Sequence, residues 1–176
     1  IPRKKIIEII PAVDYGIFKP LPKCSDLVDK LKIKGRKTIL TISRLAERKG
    51  HDIVLKALPL VLKSIPNLSY LIVGEGPYRT HLMELCRELK LNNFVTFVGF
   101  VPDKDLVKYY NLCDVFVMPN REIFDSTDSV EGFGITFIEA NACSKPVIGG
   151  KSGGAIEAVE DGVTGFLVDS QNDEEV

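Results

Sequence analysis

The chain has 176 residues, of which 45% are hydrophobic and 27% charged, and its formal net charge at pH 7 is -1. This composition is typical of a globular domain with a real core, long enough to hide roughly 70% of the surface that its unfolded form exposes. It excludes a broadly basic nucleic-acid binder. No apolar run reaches the roughly 18 residues of a membrane span, and the N-terminus lacks a secretory signal, so a soluble chain is expected.

Cysteine and histidine side chains are too scattered to indicate a metal site. The chain has four cysteines without a Cys-x-x-Cys pair, and two histidines that could join them. They are Cys24, Cys86, Cys113, Cys143, His51 and His81. All the cysteines except Cys24 lie in apolar helical patterns, where a free thiol behaves as a small hydrophobe. We therefore expect no metal, and reduced, buried cysteines as in a cytosolic protein.

Beta-rich apolar runs alternate with helical patterns along the chain. The runs are IIEIIP at 6–11, KTILTIS at 37–43, SYLIVG at 69–74, NFVTFVG at 93–99, DVFVMP at 114–119, PVIGG at 146–150 and GFLVD at 165–169. Helical patterns lie near 51–65, 78–90, 103–112, 134–144 and 154–160. Most runs are continuous, which is typical of strands buried on both faces. We therefore predict an α/β fold, a Rossmann-like doubly wound parallel sheet.

Both ends of the chain read as parts of a larger protein. Residues 1–22 are interpreted as an interdomain connector and an entering strand, because a Pro-rich segment follows the first apolar run. Residues 23–176 are interpreted as one Rossmann-like domain, and SQNDEEV stops where a capped helix would begin. We expect an N-terminal domain and a final C-terminal helix outside this chain.

Three loops that follow strands imitate known phosphate or metal motifs. GEGPYR resembles a dinucleotide fingerprint, but Arg79 stands in place of the third glycine, which favours a tight turn. GKS imitates the end of a P-loop, but Lys145 stands where that motif needs glycine; the surrounding GGKSGG either brings amides to an anion or forms a flexible turn. Asp103 and Asp105 have the spacing of a divalent-ion motif, but they open a helix, where an aspartate N-cap is expected.

The loop SRLAERKG supplies two cations beyond the carboxyl end of the strand KTILTI. Arg44 and Lys49 can converge there on one anion, with the guanidinium acting as a fork and the ammonium as a point charge. Solvated loop charges are the alternative interpretation.

The stretch EGFGITFIEA places two carboxylates and two glycines at the start of an apolar helix. If the helix begins near Gly134, then Gly132 and Gly134 let backbone amides approach a diphosphate at the positive end of the helix dipole. Glu131 would stand beside that diphosphate. Glu139 would lie roughly 12 Å along the helix, where a carboxylate can accept hydrogen bonds from ribose hydroxyls. The alternative is that Glu139 is a solvated helix residue.

Six segments in this order resemble a known family. IPAVDYGIFKP, SRLAERKG, GEGP, VPDKDLVKYYNLCDVFVMP, EGFGITFIEA and SGGAIEAVEDGVTGFLVD are similar to the C-terminal, donor-binding half of a retaining GT-B glycosyltransferase, in glycosyl transferases group 1. The likeness covers nearly the whole chain. A finer likeness is to GDP-mannose-using transferases that act on lipid or polysaccharide acceptors.

The resemblance implies a role for each matching residue. Arg44, Lys49 and Glu131 would be catalytic, with the two cations stabilising the departing nucleotide and Glu131 contacting the donor sugar. The donor-binding positions would be Gly132, Phe133, Gly134, Ile135, Glu139, Phe100 and Val101. Of these, the amides of 133–135 would hold the diphosphate, Glu139 the ribose, and the pair at 100–101 would flank the base. Ser43 departs from the family, in which a glycine is common before the arginine.

The resemblance also implies what the protein does and where. It predicts a metal-free and cofactor-free hexosyltransferase whose donor is a nucleotide-diphosphate sugar, with GDP-mannose favoured. The acceptor site would belong to the missing N-terminal domain, so the isolated chain is expected to be inactive. A cytoplasmic location is implied, with any membrane contact made through the absent half, and no nucleic-acid partner. The alternatives are a non-catalytic nucleotide-binding scaffold and a GT-B epimerase or phosphorylase.

Overall fold

The computed structural model describes residues 9–123, 130–172 and 175, and within them one parallel sheet organises the chain. Its strands are β1 (Lys37–Ile42), β2 (Leu68–Val73), β3 (Val95–Gly99), β4 (Val115–Met118), β5 (Val147–Gly150) and β6 (Gly165–Val168). They are ordered β3-β2-β1-β4-β5-β6, and each neighbouring pair is parallel.

Helices connect the strands and cover both faces of the sheet. They are α1 (Ser25–Lys30), α2 (His51–Ser64), α3 (Arg79–Glu88), α4 (Asp103–Leu112), α5 (Ile135–Ala142) and α6 (Ala155–Ala158). A short 3₁₀ turn, Glu47–Lys49, lies between β1 and α2.

Two apolar clusters form the core, one on each face of the sheet. Tyr110 of α4 and Phe116 of β4 belong to the first cluster. Leu55 of α2 and Leu82 of α3 belong to the second, together with Val117. Successive side chains of a strand point to opposite faces, so Phe116 and Val117 face different clusters. This two-sided burial explains why the strand sequences are continuously apolar, and all six residues of β2 are buried.

The winding of the sheet reverses between β1 and β4. From β1 the chain moves outward to β2 and β3, and then returns to place β4 on the other side of β1. The carboxyl ends of β1 and β4 therefore form the point where the winding reverses, and the crevice outside such a point is the usual ligand position in open α/β sheets.

The predicted fold class is confirmed, and so is the burial of Cys86, Cys113 and Cys143. The strand predicted at 6–11 is wrong for residues 9–11, which lie in no strand, and residues 6–8 lie outside the described part. The division of the chain at residue 22 stays a prediction. No helix among the described residues is both long and apolar enough to cross a bilayer.

The predicted aspartate cap of α4 is also wrong. The helix begins at Asp103 with Pro102 at the N-cap position, and no side chain caps it. The Pro102 carbonyl accepts a hydrogen bond from the Asp105 amide at 2.8 Å, so the proline closes the first turn itself. Both carboxylates then lie within the first turn, where they still favour the helix dipole. Asp105 additionally pairs with Lys108 at 2.6 Å.

Candidate active site

The loops after β1 and β4 meet because glycine allows their backbones to touch. Gly50 ends the 3₁₀ turn with φ of 73°, in the left-handed region, and precedes α2. A Cβ at this position would lie 2.1 Å from the carbonyl oxygen of Pro119, which follows β4. Only glycine therefore permits this approach, which places Lys49 beside the segment that carries Glu131.

A carboxylate and two cations form a largely buried cluster at this junction. Lys49 Nζ donates a short hydrogen bond to Glu131 Oε2, and Arg48 Nη1 lies 3.1 Å from the same oxygen. Their side chains are only 10–14% exposed. Buried charges are costly unless they are paired, so the cluster fixes the Glu131 carboxylate in one position. The sequence analysis missed Arg48, because one cation in a charged loop carries no distinguishing signal.

The glycine-rich segment opens the N-terminus of α5 as predicted. Gly134 is the N-cap residue, with φ of 82°, and the helix begins at Ile135. A Cβ on Gly134 would lie 2.6 Å from Phe137 Cδ2, whereas a Cβ on Gly132 would meet no described protein atom within 4 Å. Packing within the described residues thus explains the glycine at 134 but not the one at 132. The open space at the Cβ position of Gly132 is consistent with a ligand near this helix N-terminus.

The GGKSGG loop packs against the same segment. The Gly154 amide donates to the Glu131 carbonyl at 2.9 Å. A Cβ on Gly153 would lie 2.5 Å from that carbonyl oxygen, and one on Gly154 would lie 2.1 Å from the carbonyl oxygen of Gly132. These glycines support the 131–133 segment, which the sequence analysis did not foresee.

Glu139 lies farther along α5, and a side chain of the neighbouring helix α4 contacts its carboxylate. Tyr110 of α4 donates its hydroxyl to Glu139 Oε2 at 2.6 Å. Burial raises the pKa of the Glu139 carboxyl, the hydrogen bond from Tyr110 opposes that shift, and the charge of Asp103 adds to it. Glu139 is half-buried and its carboxylate has a protein partner, which disfavours the alternative of a solvated helix residue; its role stays a prediction.

A buried histidine lies beneath the cation loop. His51, the first residue of α2, is fully buried, and its Nε2 lies 3.2 Å from Ser43 Oγ. The Ser43 hydroxyl also lies 3.2 Å from the Arg44 carbonyl oxygen. Burial lowers the pKa of His51 to about 3, a shift that Asp52 opposes and Lys49 increases. The serine that departs from the family thus forms part of a polar link between α2 and the Arg44 backbone.

Comparison with known proteins identifies the chain. It matches the glycosyl transferases group 1 family over residues 25–176. The chain belongs to this family. A GDP-mannose-dependent alpha-(1-6)-phosphatidylinositol monomannoside mannosyltransferase from Mycolicibacterium smegmatis is 37% identical over 169 residues, 96% of this chain and 44% of the relative. The protein of the same name from Mycobacterium tuberculosis is 39% identical over 163 residues, 92% of this chain and 42% of the relative.

Solved structures of other proteins share the fold. The Anabaena protein HepE in complex with UDP-glucose has a TM-score of 0.79 and 30% identity, covering 93% of this chain and 43% of that one. The C-terminal domain of LpcC from Francisella tularensis has a TM-score of 0.72 at 24% identity, covering 91% and 83%, and shows the fold alone. The chain spans less than half the length of the curated relatives it matches.

The family resemblance is confirmed, whereas the residue roles it implies stay predictions. Arg44 is exposed in the loop after β1, and the buried Lys49 is in the same loop. Phe100 and Val101 follow β3 as expected, but they differ: Phe100 is 75% exposed and Val101 belongs to the core. Only Phe100 therefore offers its side chain to a ligand.

A second ion cluster links the loop after β4 to α2 and to the loop after β1. The sequence analysis did not predict it. Arg121, after β4, binds both carboxylate oxygens of Asp52 at 3.0 Å and reaches Glu47 at 3.2 Å. Its amide donates to the Arg48 carbonyl at 2.8 Å. Within the described ranges no group of three His, Cys, Asp or Glu is placed to hold a metal. The expectation of catalysis without a metal stays a prediction.

Proposed function

We propose that the chain is the donor-binding half of a retaining glycosyltransferase, which transfers a hexosyl group from a nucleotide-diphosphate sugar to a lipid or polysaccharide acceptor. The observation that carries the proposal is the Glu131 carboxylate, paired with Lys49 and Arg48 beside the glycine-opened N-terminus of α5. Carboxylate, cations and helix amides together match the needs of a sugar joined to a diphosphate.

In this proposal the diphosphate binds at the N-terminus of α5. The amides of Phe133, Gly134 and Ile135 donate to its oxygens, and the helix dipole favours its negative charge. As the bond between the sugar's anomeric carbon and the diphosphate oxygen breaks, negative charge grows on the leaving nucleotide. Lys49 and Arg44 stabilise that charge electrostatically. The acceptor oxygen forms the new bond to the anomeric carbon on the face that the diphosphate leaves, and its proton goes to the departing phosphate.

Glu131 and Glu139 contact opposite ends of the donor. Glu131 accepts hydrogen bonds from sugar hydroxyls, since its carboxylate is already fixed by Lys49 and Arg48. Glu139 accepts hydrogen bonds from the ribose, and the exposed Phe100 flanks the base. The two carboxylates together therefore recognise an extended ligand, which has both a sugar and a ribose, rather than a single phosphate.

GDP-mannose is the favoured donor. Relatives that are 37% and 39% identical carry GDP-mannose in their names, and those names also specify a phosphatidylinositol mannoside acceptor. The solved HepE structures contain UDP and UDP-glucose. A UDP-sugar is therefore the alternative donor to compare with GDP-mannose. The remainder of the protein is proposed to supply the acceptor site, and the isolated chain to transfer nothing. A cytoplasmic location, with membrane contact through that remainder, completes the proposal.

The test is sugar transfer by full-length protein supplied with GDP-mannose or UDP-glucose and a phosphatidylinositol mannoside, with products analysed by mass spectrometry. We expect transfer from GDP-mannose with retained anomeric configuration. Lys49→Ala and Glu131→Ala should each reduce kcat about 10²-fold or more, because each removes an electrostatic contact to the reacting ligand. Lys63→Ala is the matched control, since Lys63 is an exposed lysine at the far end of α2.

Undiminished turnover in Lys49→Ala and Glu131→Ala would refute the site. If the product is an isomerised or phosphorolysed sugar, the protein is an epimerase or a phosphorylase rather than a transferase. Binding of the donor without any product, under conditions in which the acceptor is bound, would favour a non-catalytic scaffold.

A further inference from the structure

Tyr110 and Glu139 form a side-chain pair between two helices that meet at the proposed ribose end of the site. The Tyr110 hydroxyl donates to Glu139 Oε2 at 2.6 Å, across 29 residues of sequence. Tyr110 is fully buried, and burial together with the Glu139 charge raises the pKa of its phenol well above the ordinary value. The phenol therefore keeps its proton and acts as a permanent donor.

The ring of Tyr110 packs against two aromatic neighbours. Phe18 meets it edge-on with ring centroids 5.8 Å apart, and Phe116 of β4 lies 5.7 Å away. Phe116 in turn meets Phe137 of α5 at 5.8 Å. Aromatic contacts of this kind resist rotation of the ring, so the hydroxyl occupies one place relative to α5.

The hydrogen bond from Tyr110 occupies only part of the acceptor capacity of the Glu139 carboxylate. Among the residues that the structure describes, Tyr110 alone hydrogen-bonds the carboxylate, and it uses Oε2. With respect to the described part of the chain, Oε1 and the second lone pair of Oε2 have no protein donor and are open to hydrogen bonds from a ligand. A carboxylate held by one fixed donor loses less rotational freedom when a ligand binds, and this pre-organisation increases affinity.

We propose that Tyr110 is a positioning residue for the donor: it orients the Glu139 carboxylate towards the vicinal hydroxyls of the ribose. The inference rests on the proposed function, which assigns the ribose to Glu139, and it adds a residue that does not itself touch the donor. Tyr110 selects for ribose through Glu139, whereas its aromatic ring belongs to the core.

The test compares ribose and deoxyribose ligands on full-length protein. Calorimetric affinities for GDP and for 2′,3′-dideoxy-GDP are measured in the unmodified protein and in Tyr110→Phe, which keeps the ring and removes the hydroxyl. We expect Tyr110→Phe to weaken GDP binding about tenfold, the usual scale for a hydrogen bond to a charged group. Binding of 2′,3′-dideoxy-GDP should change less than about twofold, because that ligand has no hydroxyls for Glu139 to accept from.

Tyr109→Phe is the matched control, since Tyr109 is the neighbouring buried tyrosine on α4. It should leave both affinities unchanged. Melting temperatures of both variants report any loss of core stability separately from ligand discrimination.

Equal losses for the two ligands, or no loss for either, would overturn the role of Tyr110. Glu139→Gln separates this failure from that of the proposed function. If Glu139→Gln weakens GDP more than 2′,3′-dideoxy-GDP while Tyr110→Phe does not, only the inference about Tyr110 fails. If Glu139→Gln also fails to discriminate, Glu139 does not bind ribose, and the ribose assignment falls together with the role of Tyr110; the transfer assay with Lys49→Ala and Glu131→Ala tests the proposed function separately.

Discussion

Burial of His51 as a neutral imidazole should make the stability of the chain fall in mild acid. The folded-state pKa is about 3, against 6.5 for the free side chain. Between these values the unfolded chain binds a proton that the folded chain does not, so unfolding is favoured as pH falls. The contribution of His51 is therefore complete above pH 6.5 and is lost progressively towards pH 3.

The expected loss between pH 7.5 and pH 5.0 follows from this shift. Each pH unit within the window changes the free energy of unfolding by about 1.4 kcal/mol, which gives a loss of about 2 kcal/mol over the range. His51→Gln keeps a side-chain nitrogen that can reach Ser43 Oγ but removes the titrating group, so its stability should change by about 2 kcal/mol less over the same range.

Urea unfolding of the wild-type chain and the variant at several pH values measures this difference. The midpoint and slope of each curve give the free energy of unfolding, and only the difference between the two proteins is interpreted, because carboxylates also titrate near pH 5. His81→Gln, at an exposed histidine of α3, is the control for the chemical change itself. The same pH dependence in His51→Gln as in the wild type would refute the buried neutral imidazole.

Three further substitutions test the packing behind the site. Gly150→Ala would place a Cβ 1.9 Å from the Asn120 carbonyl oxygen, so we expect a drop in melting temperature of roughly 5 °C. An unchanged melting temperature would contradict this close packing of β5 against the segment that follows β4. Arg121→Met should cost about 3–5 kcal/mol in urea unfolding, because it leaves the buried Asp52 carboxylate unpaired, and adding Asp52→Asn should recover part of that loss. Phe137→Ala should lower the free energy of unfolding by about 3–5 kcal/mol, since the ring is fully buried; a loss below 1 kcal/mol would contradict that packing.

Patterns within one segment made the main elements of the fold and the site predictable. The continuous apolar runs identified all six strands of the sheet, because burial on both faces leaves a plain signature in each run. The start of α5 was predicted within one residue, since Gly134 adopts the left-handed conformation that a glycine before an apolar helix suggests. Each of these signals is local, which means that a single segment of the sequence contains all the information needed to recognise it.

Contacts between distant segments were not predictable in the same way. Arg48 reads as one of several loop charges until the fold brings Glu131 to it, and Tyr110 reads as a core residue until α5 presents Glu139. The N-cap prediction for Asp103 was wrong because it rested only on the general preference of aspartate for that position. In the structure Pro102 takes the N-cap position, so Asp103 is the first residue of the helix. Each case depends on a partner or a backbone conformation that composition and periodicity do not encode.

The reversal of winding between β1 and β4 has a consequence for the order of folding. β1, β2 and β3 follow one another through single crossovers, whereas pairing of β1 with β4 joins Ile39 to Val115 across 76 residues. Loop-closure entropy delays such a distant contact, so we expect the first three strands to assemble before β4 docks. Lys49 and Glu131, which are 82 positions apart in the sequence, also come together only when β4 docks. The cluster at the crevice therefore forms late, and a nucleotide that binds only the completed crevice would stabilise the last stage of folding rather than its nucleus.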